Sequence, residues 1–337
     1  MRAVGYKQSL PIDQAESLID LEIDKPAPQG RDLLVQVKAI SVNPVDTKVR
    51  MRAAPKDGEP AKILGYDATG VVAKTGPDVS LFKPGDEVWY AGSIIRPGTN
   101  SEYHLVDERI VGVKPKSLDF AAAAALPLTS ITAWEMLFDR FAVPRGGGDG
   151  KSLLIVGGGG GVGSIAIQLA RTLTKLTVIA TASRPETQSW CKELGAHHVI
   201  DHSKPMAEQL KAAGHRYVDY IFGVTHTDQH FDAIADAIAP QGKFGLIDDP
   251  KPFEFSKLKG KSASLHWESM FVRSSFQTPD MVEQHNLLSE VARMVDAGTI
   301  RTTVQENLGP INAANLRRAH AMIESGRTRG KIVLAGF

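Results

Sequence analysis

The chain has little cysteine: Cys191 is the only one in 337 residues. It can form no disulfide within the chain and no zinc site built on four cysteines. Cys191 falls in a helix-like stretch closed by Gly195, where a lone cysteine reads as a small core or surface residue and not as a nucleophile. An excess of one charge is missing too. The 39 Lys and Arg against 38 Asp and Glu leave a formal net charge of +1, which gives no electrostatic footprint for nucleic acid. No apolar run reads as reaching the roughly 18 residues of a membrane helix. Met1–Tyr6 enters a strand-like pattern without the apolar core of a signal peptide. These absences lead to the expectation of a cytoplasmic enzyme with no nucleic-acid and no membrane partner. The length suggests about two domains, and Gly and Pro use is ordinary for a globular protein.

Glycine is concentrated at one place. Leu153-Leu154-Ile155-Val156 runs straight into Gly157-Gly158-Gly159-Gly160-Gly161-Val162-Gly163. A helical pattern then starts at once, with Val162, Ile165, Ala166, Leu169, Ala170 and Leu173 at spacings of three and one. The glycines read as Gly158-x-Gly160-x-x-Gly163 or as Gly157-x-x-Gly160-x-x-Gly163. Strand, glycine turn and helix together form the context in which such a motif binds a dinucleotide. The turn lets the backbone approach a pyrophosphate, and the N–H groups of the helix start face the anion. A flexible linker would be polar on both sides, and this stretch is not. Gly158, Gly160, Gly161, Val162 and Gly163 are therefore the expected cofactor-binding residues of the turn.

Before the glycines, residues 1 to about 123 read as mostly β. Strands over 32–40, 65–73 and 102–106, and a turn feeding a strand over 83–90, are punctuated by Gly and Pro and suggest a partly open barrel. The alanine run at 121–125 marks a change of composition, and a helix continues through 131–137. From residue 153 strands and helices alternate, the pattern of a parallel α/β sheet. Its strands are expected over 153–156, 177–182, 198–201, 218–222 and 243–247, with a sixth within 263–271. A long helix is expected over 279–297. The closing strand near 330–334 returns to the first domain, because the nucleotide-binding sheet is complete by then.

The end of the second α/β strand separates the two nicotinamide dinucleotides. An NAD site usually places an Asp or Glu there to accept from the ribose 2′-hydroxyl. This chain has Thr181-Ala182-Ser183-Arg184 and no acid. Arg184 pairs with a 2′-phosphate while Ser183 donates to it, or Arg184 is a solvated charge beside Pro185 at a helix start. The missing acid favours NADPH. His202 and Lys204, after the third strand, are placed to flank the same phosphate. Short-chain dehydrogenases fit poorly, because none of the six tyrosines has a lysine four residues on.

Four stretches carry a family resemblance: Ser41-Val42-Asn43-Pro44-Val45-Asp46, Gly65-Tyr66-Asp67-Ala68-Thr69-Gly70, Leu126 to Trp134, and Leu194 to Asp201. With the β-rich first part, the mid-chain glycines and the closing Gly330-Lys331-Ile332-Val333-Leu334, the chain resembles the medium-chain dehydrogenase/reductase superfamily over nearly its whole length. Within it, the chain is similar to the zinc-free quinone oxidoreductase branch, near the proteins called zinc-type alcohol dehydrogenase-like. The resemblance implies an α/β fold. A Rossmann doubly wound parallel sheet domain would cover 124–276, and a β-rich, partly open barrel (GroES-like) catalytic domain would cover 1–123 and 277–337. It also implies a homodimer through the edge of the cofactor sheet, with Ser264–Trp267 a plausible edge strand. The zinc enzymes of this superfamily have a cysteine near Asn43–Asp46, Gly-His-Glu where this chain has Gly65-Tyr66-Asp67, a second catalytic-domain cysteine and a four-cysteine lobe. None is present here, so no metal is expected. His226 and His230, four residues apart after the fourth strand, read as solvated or capping residues before metal ligands.

Without zinc ligands there is no Lewis acid to polarise an alcohol or carbonyl. Hydride acceptors that need little help remain: quinones and α,β-unsaturated carbonyls, whose developing charge spreads onto an oxygen. The expected function is an NADPH-dependent reductase of a quinone or related activated carbonyl. An enone (alkene) reductase, a zinc-dependent alcohol dehydrogenase and a non-catalytic NADPH-binding protein stay open as alternatives. The resemblance puts Asn43, Tyr66 and Thr129 near the nicotinamide. Tyr66 is the first candidate to donate to an oxyanion, or else a half-buried barrel tyrosine; Asn43 positions a ligand or caps the turn before Pro44. Asp67 reads as a structural ion-pair partner of Lys331 or Arg329, and Lys331 is also counted among the expected cofactor-binding residues. By resemblance Val224, Thr225, Leu246 and Ile247 line the nicotinamide and its ribose. Trp267, Met270 and Phe271 wall the substrate, or belong to the core or a dimer interface.

Overall fold

The computed structural model describes residues 1–56 and 58–337 and divides the chain into two units. One is Met1–Ile131 with Phe271–Phe337; the other is Thr132–Met270. The reading of the sequence put the divisions at 123/124 and 276/277.

The first unit opens with β1 (Arg2–Tyr6), β2 (Ile19–Glu22), β3 (Asp32–Val42), α1 (Pro44–Arg52), β4 (Lys62–Ile63), β5 (Ala68–Thr75), β6 (Glu87–Tyr90), β7 (Tyr103–Asp107) and β8 (Val111–Val113). β2, β1 and β4 form a small antiparallel sheet. β3 is the hub of a larger one: it is buried along most of its length and pairs antiparallel with both β5 and β7. β5 starts at Ala68 and not at Gly65 as the alternation suggested. Gly65 has φ +115°, and a Cβ there would lie 2.4 Å from Thr99 Oγ1, so the chain bends through Gly65–Asp67 before the strand begins. That bend aims Tyr66 and Asp67.

α2 (Phe120–Ala124) is capped by Asp119, whose carboxylate accepts from the Ala122 N–H at 2.7 Å. Pro127 opens α3 (Pro127–Trp134), and a π-helical stretch, Glu135–Arg140, follows it. By length and hydropathy alone Phe120–Arg140 is apolar enough to span a bilayer, which corrects the reading that no such stretch exists. Its most apolar window is 78% buried inside the protein, and Pro127 interrupts it, so packing accounts for its composition.

The second unit alternates β9 (Ser152–Val156), α4 (Gly161–Leu173), β10 (Thr177–Thr181), α5 (Pro185–Glu193), β11 (His198–Ile200), α6 (Met206–Ala212), β12 (Val218–Gly223), α7 (Thr227–Ala237), β13 (Ile238–Leu246) and β14 (Ser264–Trp267). All six strands are parallel, in the order β11-β10-β9-β12-β13-β14. This is the doubly wound order 3-2-1-4-5-6. Leu154, Ile179, Ile221, Phe231, Ile234 and Phe244 belong to one core cluster. α4 buries Gly163 through Ala170. Cys191 is part of this core: it is fully buried, a Cβ on Gly158 would meet its Sγ at 3.0 Å, and burial pushes its thiol up to about 12.

The chain then returns through α8 (Val272–Phe276), α9 (Glu283–Asp296), β15 (Val304–Asn307), α10 (Ala313–Glu324) and β16 (Lys331–Ala335). β16 pairs antiparallel with β3, with Leu334 opposite Ile40, so the closing strand belongs to the first unit's sheet as expected. α9 buries Leu287, Leu288, Val291 and Val295 along one face and lies within the helix expected over 279–297. α1 and α10 were not read from the sequence. They are joined by Arg50, fully buried, which bonds to His320 Nδ1 at 3.0 Å and to Glu324.

Candidate active site

The first unit builds a buried polar cluster from four sequence-distant segments. Asn43 ends β3 and precedes α1, with Pro44 at the first helical position, where its missing N–H is no loss. Asp46, at the third helical position, reaches back to accept from the Asn43 N–H at 2.8 Å. Its other oxygen accepts from Gly65 N–H at 3.1 Å, tying α1 to the bend that carries Tyr66 and Asp67. Asp67 is fully buried. One oxygen accepts from Ser41 Oγ (2.8 Å), Asn43 Nδ2 (2.8 Å) and Lys331 Nζ (3.2 Å), and the other from Leu128 N–H (2.8 Å). Lys331, from β16, donates in addition to Val42 O (3.0 Å) and to Asn43 Oδ1.

Burial acts against both charges, pushing the Asp67 carboxyl up and the Lys331 ammonium down. The local contacts oppose it. Four donors converge on Asp67, and a protonated acid could not accept from all of them, so the geometry is that of a charged pair. Asp46 is different. Burial first, against its two N–H donors and Lys331, pushes it up to about 7.

The cluster corrects two roles. Lys331 was expected among the cofactor-binding residues, but it is 3% exposed and its three donors are taken by Val42, Asn43 and Asp67. Asn43 was expected to position a ligand or to cap the turn before Pro44, and it stands at the N-cap of α1. Its amide donates to Asp67 and to Tyr66 O (3.3 Å) and accepts from Lys331, so it holds the ion pair. Thr129 lies one residue past the Leu128 N–H, but its own hydroxyl donates to Leu126 O at 3.1 Å. Tyr66 is 1% exposed and packs edge-on to Phe271, with ring centres 5.3 Å apart. No hydrogen bond to its hydroxyl occurs among the described residues, and burial holds the phenol protonated far above neutral pH. Asp46 could have been found in the sequence, since an acid three residues after an Asn-Pro start is a helix-capping signal.

The second unit supplies a cradle. A Cβ on Gly163 would lie 2.4 Å from Gly157 O, and one on Gly158 would lie 2.7 Å from Ala180 Cβ, so both glycines serve close packing of loop, helix and strand. Gly160 is unlike them. Only Gly157 O, at 3.8 Å, comes within 4 Å of a Cβ there, which leaves open space before the N-terminus of the 13-residue α4. The N–H groups of a helix's first turn have no intrahelical partner and suit an anion. Thr181 Oγ1 accepts from Gly157 N–H at 3.0 Å and fastens the loop to the end of β10. β9 is where the strand order turns, with β10 on one side and β12 on the other. A dinucleotide fits this cradle.

Around it, Ser183 is exposed, and Arg184 caps the start of α5 with Nε 3.2 Å from Glu186. Lys204 pairs with Asp201 at 3.6 Å. His202 Nδ1 is 3.0 Å from Thr181 Oγ1. Val224 and Thr225 follow β12, and Leu246 and Ile247 stand at the end of β13. Trp267, at the end of edge strand β14, is 56% exposed, whereas Met270 and Phe271 are buried.

One group here left no sequence signal. Glu268 donates its N–H to Leu246 O at 3.1 Å, directly behind the strand end that carries Leu246 and Ile247. Its buried carboxylate lies 2.7 Å from Arg140 Nε. Burial, then the charge of Glu135, push Glu268 up to about 9. A carboxyl raised above its unfolded value stabilises the fold most at low pH, and that contribution is lost as pH rises through the folded value. Glu268→Gln should therefore remove a decline in stability between the ordinary carboxylate range and pH 9. The decline should be no steeper than about 1.4 kcal/mol per pH unit, one proton's worth. Urea unfolding of both proteins at pH 5, 7 and 8.5 checks it: parallel curves would mean that Glu268 is ionised throughout.

Comparisons with known proteins agree with this geometry. The family described as "Alcohol dehydrogenase GroES-like domain" matches residues 29–116, and that described as "Zinc-binding dehydrogenase" matches 194–334. A zinc-type alcohol dehydrogenase-like protein of Staphylococcus aureus is 39% identical, over 99% of each chain. A crystal structure from Rhizobium etli CFN 42, named for a zinc-dependent alcohol dehydrogenase protein, superposes with TM-score 0.96 at 60% identity, covering 100% of this chain and 98% of that one. The 2-methylene-furan-3-one reductase of Solanum lycopersicum is 30% identical over 99% of this chain and 79% of its own.

Several of these names carry zinc, and the donors in this chain do not fit it. The Asn43–Asp46 and Gly65–Asp67 segments offer no thiolate and no imidazole, and an ammonium already sits between Asn43 and Asp67. No group of three or more His, Cys, Asp or Glu that could hold a metal occurs among the described residues. A Rossmann unit, a GroES-like unit and relatives matched over nearly full length place the chain in the medium-chain dehydrogenase/reductase superfamily, among the zinc-type alcohol dehydrogenase-like proteins.

Proposed function

We propose that the protein is an NADPH-dependent reductase that delivers hydride to a quinone or a related activated carbonyl, without zinc. The observation that carries this reading is the Lys331–Asp67 pair, which takes up the segments where the superfamily's zinc enzymes have ligands, segments that offer neither a thiolate nor an imidazole. NADPH supplies the hydride when bound. The N–H groups of Gly161, Val162 and Gly163 hold its pyrophosphate, with Gly160 giving room and Gly158 letting the loop pack against β10. Ser183 and Arg184 hold the 2′-phosphate, and Val224, Thr225, Leu246 and Ile247 line the nicotinamide half. Tyr66 keeps its proton and offers an unengaged hydroxyl to an oxygen that gains charge. A neutral donor suffices for a quinone or enone, whose charge is delocalised. An unactivated ketone would need a stronger electrophile.

A second reading, enone (alkene) reduction, is favoured by the 30% identity to a reductase of a conjugated methylene ketone. Parallel assays of NADPH consumption with a simple quinone and with a methylene ketone separate the two. Cofactor choice is tested by Arg184→Ala. Loss of a charge-assisted hydrogen bond of about 1.5–3 kcal/mol should weaken NADPH binding roughly 10- to 100-fold and leave NADH nearly unchanged. Equal effects on both would mean that Arg184 is a solvated helix-start charge. We also propose a homodimer formed through β14, which has one unpaired edge in the sheet and exposes Trp267.

A further inference from the structure

Three imidazoles lie near one another in the second unit, one after β11 and two at the start of α7. His202 follows β11, and its ring centre is 5.4 Å from that of His230, in the first turns of α7. His226, just before α7, adopts a left-handed backbone with φ +51°, and its Nδ1 lies 2.7 Å from Thr225 Oγ1. Residues other than glycine held in that conformation are strained, and such strain concentrates at functional sites. Gly157 N–H donates to Thr181 Oγ1, which contacts His202, so Thr181 at the end of β10 ties that ring to the first glycine of the cradle. The three rings are not a metal set among the described residues.

The charges around them are few. Asp201, itself bonded to Ser203 and paired with Lys204, faces His202. Asp228 and Asp248 face His230, and Asp248 is already engaged by the Thr227 N–H and hydroxyl. Burial first holds His202 and His230 below the usual histidine range, outweighing Asp201 at His202, and Asp228 and Asp248 at His230. A dianion brought among them reverses that balance, because each ring then gains by taking a proton.

We propose that His202 and His230 read the 2′-phosphate of the dinucleotide by taking up a proton as it binds, so that preference for NADP(H) over NAD(H) grows as pH falls. This rests on the NADPH reading above. The test is calorimetry of NADP⁺ and NAD⁺ binding to the full chain at pH 7, in buffers of different ionisation enthalpy, with affinities repeated at pH 6.5 and 8. The free 2′-phosphate itself protonates near pH 6, so lower values are avoided. NADP⁺ should bind with net proton uptake, and its Kd should tighten by up to about tenfold per pH unit, the limit for one linked proton. NAD⁺ should change by less than about twofold. His230→Asn should flatten the NADP⁺ slope. Tighter binding of NADP⁺ without proton uptake, or a slope that survives His230→Asn, would overturn the histidine role and leave NADPH use standing. Equal affinity for the two cofactors would overturn both. The wild-type comparison needs no variant to fold.

Discussion

Replacing Lys331 by methionine should cost about 3–5 kcal/mol of stability at pH 7, the range for stranding one partner of a buried ion pair. Both partners are almost wholly enclosed: Lys331 is 3% exposed and Asp67 0%. With the ammonium gone, Asp67 keeps Ser41, Asn43 and the Leu128 N–H but loses the cation it is paired with. Its pKa in the fold must then rise further above the unfolded value. A raised carboxyl contributes stability at low pH that disappears as pH rises, so the deficit of Lys331→Met should shrink on acidification towards pH 5. Adding Asp67→Asn removes the stranded charge and should restore at least half of the loss. Urea unfolding of the two single variants and the double variant forms a cycle. A single-variant loss below about 1 kcal/mol, or no recovery in the double variant, would mean that the pair is not charged in the fold.

Two glycines should behave in opposite ways. Valine at Gly163 puts a Cβ 2.4 Å from Gly157 O and 2.7 Å from Gly158 Cα, both backbone atoms that cannot move aside cheaply. Gly163→Val should lose both stability, by about 1–3 kcal/mol, and nucleotide binding. A Cβ at Gly160 meets only Gly157 O within 4 Å among the described residues, at 3.8 Å. Gly160→Val should keep the wild-type melting temperature yet weaken NADPH at least about 30-fold, the equivalent of 2 kcal/mol of lost approach. Fluorescence titration and thermal melts on both variants decide this. If Gly160→Val binds NADPH normally, the space before α4 is not the pyrophosphate site.

The second unit's order was legible because its strands are short apolar runs between amphipathic helices. Val162, Ile165 and Leu169 announce α4, and the glycines announce the loop. The first unit was less legible. Gly65-Tyr66-Asp67 reads as a strand by alternation, but a positive φ at Gly65 turns it into a bend. α1 carries charged residues on most faces and so shows no apolar stripe, although Asn43, Pro44 and Asp46 give its start away. In the site, Asp67 with Lys331 was readable as a pair, whereas the roles of Asn43 and Lys331 depend on counting donors, which needs coordinates. Glu135 with Glu268, and His202 with His230, meet only through tertiary folding, and no spacing in the chain could have paired them.

The most direct test of the whole account is NADPH-dependent quinone reduction measured before and after exhaustive dialysis against a chelator, with zinc content determined on the same samples. The account predicts turnover that is unchanged by chelation, at zinc far below one equivalent per chain. Activity that disappears with the metal and returns when zinc alone is added back would contradict it.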